Sequence, residues 1–158
     1  MKTIGSTIIM LALASSLFAD NGKELKLASP DGTHEIVFYQ KQVSPAVNEL
    51  CYRVDYKSQP VVNESRAGLE LDNRIWEMAL GVRNLKQPAC WMDNLEVDSV
   101  TYQPETNLTW QPLYGERSSV RDHYRTGTLY LSKKDNSGYR LNIEVRAYNE
   151  GVAFRYFF

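Results

Sequence analysis

Residues Tyr139 to Phe158 read YRLNIEVRAYNEGVAFRYFF, and their alternation sets the fold class. Tyr139, Leu141, Ile143, Val145 and Ala147 fall on one face of an extended chain. Arg140, Asn142, Glu144 and Arg146 fall on the other. A period of two over this length is the mark of a half-buried β-strand. Asn149, Glu150 and Gly151 then supply turn residues, and VAFRYFF returns as a second strand.

The same grammar extends towards the N-terminus. TGTLYLSKK, from Thr126, reads as a strand, and DNSG after it as a hairpin turn. LCYRVDY places Leu50, Tyr52, Val54 and Tyr56 on one face and Cys51, Arg53 and Asp55 on the other. ELKLASPDGTHEIVFYQ, from Glu24, reads as a hairpin whose turn is SPDG, with Pro30 fixing φ and Gly32 free to take φ > 0. KSQP is expected to end the Leu50–Tyr56 strand. AGLELD and EVDSVTYQ read as further strands, the second stopped by Pro104. Asn73 to Asn94 is less regular, with room for one helical turn between Ile75 and Leu85. Short strands separated by turn signals predict an all-β sandwich or barrel, mostly antiparallel.

Residues 1–19 stand apart. Lys2 precedes an uncharged, mostly apolar run from Ile4 to Phe18, and Ala19 precedes Asp20. This is the pattern of a secretory signal peptide cut after Ala19. The run is shorter than the ~20 apolar residues that span a bilayer, so no membrane anchor is expected after cleavage. Residues 20–158 are then one domain, placed in the periplasm or secreted. The formal net charge of the whole chain is −1. That balance gives no field to steer a polyanion, and no basic stripe suggests nucleic acid as a partner. Cys51 and Cys90 are the only cysteines. In an oxidising compartment they could pair, for about 3–4 kcal/mol if the geometry allows; the other reading is two buried thiols. The chain closes on Phe157 and Phe158, apolar residues of the kind found inside a strand. The expectation is a truncated domain, or an end that a partner covers.

The chemistry is sparse. There is no G-x-S-x-G elbow, no H-E-x-x-H and no phosphate-binding glycine loop. The acidic residues sit in no recognisable frame, so no catalytic residue is assigned. His34 follows a turn and reads as an exposed strand residue. His123 lies in VRDHY; as a strand, this puts Arg121, His123 and Arg125 on one face and Val120, Asp122 and Tyr124 on the other. Two arginines beside it would favour the neutral ring. Trp76, Trp91, Trp110, Tyr102, Tyr114 and Tyr124 lie in or near the less regular segments. Such rings either pack in a core or stack on a pyranose.

Two segments, TWQPLYGERSSVRDHY (from Thr109) and the closing strand pair, resemble the N-terminal domain of family 97 glycoside hydrolases, a family that includes a periplasmic α-glucosidase of starch utilisation. Trp110, Gln111, Pro112, Gly115 and Glu116 match one motif, and Arg121, Asp122, His123 and Tyr124 a second. Asn149, Gly151, Phe154, Arg155 and Tyr156 match a third. LASPDGTHEIVF and AGLEL fit as well. The resemblance implies a β-sandwich that is part of a galactose-mutarotase-like β-supersandwich. It also implies a separate (β/α)8 barrel that hydrolyses α-glucosidic or α-galactosidic bonds, with calcium in its active site. That barrel would be this chain's missing partner, and an oligosaccharide or polysaccharide the substrate. No metal ligand or cofactor is assigned within this chain. Trp110, Tyr114, Glu116, Arg121, His123 and Tyr124 become candidates for the rim of the sugar cleft or for the domain seam. The competing reading of these groups is a polar network that closes the sandwich.

Other functions remain open at this point. One is a free-standing carbohydrate-binding sandwich. A second is a mutarotase-like epimerase, for which His123 alone would have to serve. A third is a structural protein whose open edge pairs with a partner.

Overall fold

The structure, a computed structural model, describes residues 23–70, 75, 78, 81, 91–134, 138 and 140–158. Eight strands run in the order β1 (Glu24–Ala28), β2 (His34–Ser44), β3 (Val47–Tyr56), β4 (Gln59–Arg66), β5 (Leu95–Trp110), β6 (Val120–Lys133), β7 (Arg140–Tyr148) and β8 (Gly151–Phe157). They form two antiparallel four-stranded meanders, β1-β2-β3-β4 and β5-β6-β7-β8. The two sheets pack face to face. The all-β sandwich expected from the alternation is the observed architecture.

The core lies where the inner faces meet. Leu25, Leu27, Ile36, Phe38, Leu50 and Val54 come from the first sheet. Leu129 and Leu131 of β6 and Leu141, Ile143, Val145 and Ala147 of β7 come from the second, all fully buried. Each fully buried Leu, Ile or Phe contributes roughly 1.5–3 kcal/mol. The β7 alternation read from the sequence is therefore the alternation observed. Gly127 lets the sheets approach, since a Cβ there would stand 2.9 Å from Leu25 Cδ1. Aromatic rings close the β8 side: Phe38 meets Phe154 edge-on at 5.3 Å and stacks on Tyr52 at 5.5 Å.

Local expectations are adjusted at three points. KSQP ends β3 at Tyr56, as expected, but it also turns the chain into a further strand: Lys57 and Ser58 both take positive φ, 49° and 62°, and Gln59 pairs with Tyr56 to start β4. Positive φ at both central residues is the geometry of a tight hairpin turn. Pro60 is tolerated because β4 is an edge strand of its sheet.

Of AGLELD, Ala67 to Leu69 form no strand and Glu70 makes a single bridge, while Leu71 and Asp72 lie outside the described residues. Gly68 instead presses its backbone against the segment at Trp91, where a Cβ would lie 2.4 Å from the Trp91 carbonyl oxygen. Its N–H donates to the Tyr156 hydroxyl at 2.9 Å.

Pro104 does not stop β5, which runs on to Trp110. The register passes from Gln103↔Thr126 to Thr106↔Tyr124, so Pro104 and Glu105 together stand opposite Arg125 in a β-bulge. A proline fits in a bulge of an edge strand because no ladder hydrogen bond is lost.

Trp91 is a core residue. His34 is only partly exposed; its ring lies 4.8 Å from Tyr56 and Nδ1 contacts Thr33 Oγ1 at 3.2 Å. Cys51 is a free, buried thiol, pushed up by burial first. Cys90, Trp76, most of the Ile75–Leu85 segment and residues 1–19 lie outside the described residues. Among the described residues no helix is long and apolar enough to cross a membrane.

Candidate functional site: the two faces of a projecting arm

The β5–β6 hairpin is longer than the sheet it belongs to. β7 pairs with β6 only as far as Tyr148, opposite Tyr124. Beyond that point Val120, Arg121, Asp122 and His123 pair only with Trp110, Thr109, Leu108 and Asn107 of β5. Residues 111–119 join the two strands at the tip. The result is a two-stranded arm extending past one end of the sandwich. Alternation gives it an inner face, continuous with the core side of β6, and an outer face.

The inner face is polar. Arg121, His123 and Arg125 share it, as their spacing predicts. The bulge brings Glu105 to the same side. Glu105 Oε1 lies 2.6 Å from His123 Nε2, and Oε2 accepts from Arg125 Nε at 2.9 Å. These hydrogen bonds, His123 first, hold the Glu105 carboxyl below the usual carboxylate range. Arg121 Nε donates to Asn107 Oδ1 at 3.0 Å, directly across from the bulge cluster. Arg125 also reaches the opposite sheet, donating to the Pro30 carbonyl at 3.4 Å. Beside it the Asp31 N–H donates to Asn149 Oδ1 at 3.1 Å. The strip thus runs from the β1–β2 turn to the arm. Its sandwich end does close the sheets, while its outer end faces solvent.

His123 has no nitrogen to offer a ligand here. Nε2 is taken by Glu105, and Nδ1 is sealed from solvent with no hydrogen-bond partner among the described residues. The ring positions Glu105. Glu105, Asn107, Thr109 and Arg121 are exposed polar groups of the strip.

The outer face carries Tyr124, whose ring lies 5.0 Å from Tyr148 with the Arg146 guanidinium 4.7 Å from its centroid. Arg146 and Arg155 both hold Glu144, at 3.1 and 2.9 Å. These residues line a shallow hollow of about 250 Å³ with Tyr148, Ala153 and Phe154. Farther along the arm the register puts Leu108 and Trp110 on the same side as Tyr124. Tyr114 and Glu116 sit at the exposed tip.

The six candidates therefore do not converge. Arg121 and His123 lie together on the inner face, Trp110 and Tyr124 on the outer face, and Tyr114 and Glu116 at the tip. The sequence reading placed Arg125 beside His123 but missed Glu105 and Asn107 as partners. Glycoside hydrolysis needs two carboxyl groups flanking the scissile bond. The inner cluster has one, set among cations. Among the described residues no three His, Cys, Asp or Glu side chains gather into a metal site.

Residues 27–158 match the family described as Glycosyl-hydrolase 97 N-terminal. The chain belongs to that family. A retaining α-galactosidase of Bacteroides thetaiotaomicron is 26% identical over 150 residues, covering 95% of this chain and 19% of its own. A glycoside hydrolase family 97 enzyme of Pseudoalteromonas sp. has been solved in complex with panose and with acarbose. Both structures superpose with a TM-score of 0.66 at 27% identity, covering 84% of this chain and 17% of theirs. The chain thus spans less than a fifth of the length of these relatives.

Proposed function

We propose that this chain is the non-catalytic N-terminal module of a secreted or periplasmic α-glycosidase. A separate catalytic domain would hydrolyse α-glucosidic or α-galactosidic bonds in an oligosaccharide. The observation that carries this reading is the family match over residues 27–158 combined with the small share of each relative that it covers. The leader-like residues 1–19 support export. The relatives' ligands and activity support an α-linked glucose or galactose oligosaccharide as the substrate class. Calcium, which the family resemblance implies for the full-length enzyme, would belong to the catalytic domain.

Within that enzyme the inner strip of the arm would line the rim of the sugar cleft. Arg121 and Glu105 supply exposed donors and acceptors suited to sugar hydroxyls. His123 and Arg125 fix Glu105 in place. The test is to read the coding sequence beyond the Phe158 codon. A continuing frame with alternating strands and helices is expected. A stop at that codon would overturn the proposal and favour a free-standing carbohydrate-binding sandwich.

A further inference from the structure

The hollow on the outer face of the second sheet has a cause in the strand register. Glu144 stands opposite Arg155, Arg146 opposite Ala153, and Tyr148 opposite Gly151. Two small residues of the edge strand β8 thus lie beside two large ones of β7. The space they leave, about 250 Å³, has room for one pyranose ring. The polar groups around it form a row of donor, acceptor and donor. Arg146 Nε and a terminal nitrogen of Arg155 donate to the two Glu144 oxygens, at 3.1 and 2.9 Å. Arg146 is held further by a hydrogen bond to Tyr148 and by the Tyr124 ring beneath it. A carboxylate shared by two guanidinium groups is fixed in place, unlike the single flexible Lys26 on Glu35 of the first sheet. Little side-chain freedom is then lost when a ligand binds.

We infer that this hollow is a second saccharide site, which takes one neutral hexose unit of an α-linked polysaccharide. It lies on the face of the sheet opposite the Arg121 and Glu105 strip. The inference rests on the module reading above and deepens it. The chemistry of the row selects a neutral sugar. Each Glu144 oxygen keeps a second lone pair beyond its arginine bond. The Arg155 side chain is 67% exposed, and its remaining N–H groups have no partner among the described residues. A sugar hydroxyl both donates and accepts, so neighbouring hydroxyls can meet the Glu144 carboxylate and the Arg155 guanidinium together. A carboxylate or phosphate ligand at Arg155 would instead be set against the Glu144 charge. Holding a polymer at a point apart from the cleft raises the effective concentration of its other units at the cleft.

Affinity electrophoresis of the complete secreted protein tests this, in gels containing soluble starch, galactomannan or alginate. The unmodified protein should be retarded by starch or by galactomannan. Arg155→Ala, and Ala153→Leu, which fills the hollow, should each reduce that retardation several-fold. Both positions are exposed, so melting temperatures should match that of the unmodified protein. Turnover of 4-nitrophenyl α-glycosides, too small to reach both sites, should be unchanged in both variants. Equal retardation of all three proteins, or none in either neutral gel, overturns the inference. So does loss of nitrophenyl turnover together with retardation, which would mean that these residues serve the cleft. Retardation by alginate alone would mean an anion site and overturns it as well. The module reading fails separately, if the unmodified complete protein hydrolyses neither nitrophenyl glycoside, whatever its retardation.

Discussion

Glu105 and His123 meet at 2.6 Å although they lie on different strands and eighteen residues apart in sequence. The meeting depends on the bulge at Pro104, which puts two residues of β5 opposite Arg125. Without the extra residue, strand alternation would turn Glu105 to the other face. The polar strip is therefore a product of backbone geometry as much as of residue choice.

Glu105→Gln should lower the module's stability slightly and flatten its acid dependence. The Glu105 carboxyl titrates below its ordinary value because His123 and Arg125 bind the charged form. A depressed carboxyl contributes stability that is present above the ordinary glutamate pKa of 4.5 and lost as pH falls through the lower folded value. Urea midpoints measured between pH 6 and 3 should fall less steeply for the variant. Parallel curves would show that the pair carries no linkage.

Asp31 should give a second, more acid-shifted dependence. Its carboxylate accepts from Ser29 Oγ at 2.6 Å, Thr33 N–H at 3.0 Å and Thr33 Oγ1 at 2.8 Å, and its pKa is lowered to about 2, with the Ser29 bond the largest cause. Its contribution is complete above the ordinary value of 3.8 and is lost as pH falls towards about 2. Asp31→Asn should remove that part of the loss, read as the stability difference between pH 4.5 and 2.5 in wild type and variant.

Gly68→Ala should destabilise the module by roughly 1–3 kcal/mol. The new Cβ would meet the Trp91 carbonyl at 2.4 Å and Met92 Cα at 2.8 Å, both backbone, at a φ of +156°. Chemical denaturation gives the value. An unchanged midpoint would mean that the segment at Trp91 is free to move away.

Leu131→Ala should cost about 2–5 kcal/mol, as expected for a fully buried leucine between two sheets. Val61→Ser, on the edge strand and 60% exposed, should cost less than about 0.5 kcal/mol. The contrast between the two midpoints checks where the core lies.

What could be read in advance followed from side-chain periodicity. Leu141, Ile143, Val145 and Ala147 announced both a strand and its buried face, because a period of two has one structural meaning at that length. Arg121 and His123 were placed on one face for the same reason. Backbone events broke the reading elsewhere. Pro104 looks like a terminator because proline cannot donate to a ladder, yet a bulge removes that objection and carries the strand on to Trp110. Lys57-Ser58 lacks the usual glycine or asparagine of a tight hairpin, so β4 went unseen. Glu105 was missed because its role depends on the bulge. The length of the arm relative to β7 is a property of pairing and leaves no mark in local sequence.

The most direct measurement compares two purified proteins, residues 20–158 and the complete secreted product, on 4-nitrophenyl α-glucoside and α-galactoside with and without calcium. The shorter chain should release no nitrophenol from either, and the complete product should hydrolyse at least one. Turnover by residues 20–158 alone, abolished by replacing a carboxylate within them, would contradict a non-catalytic module.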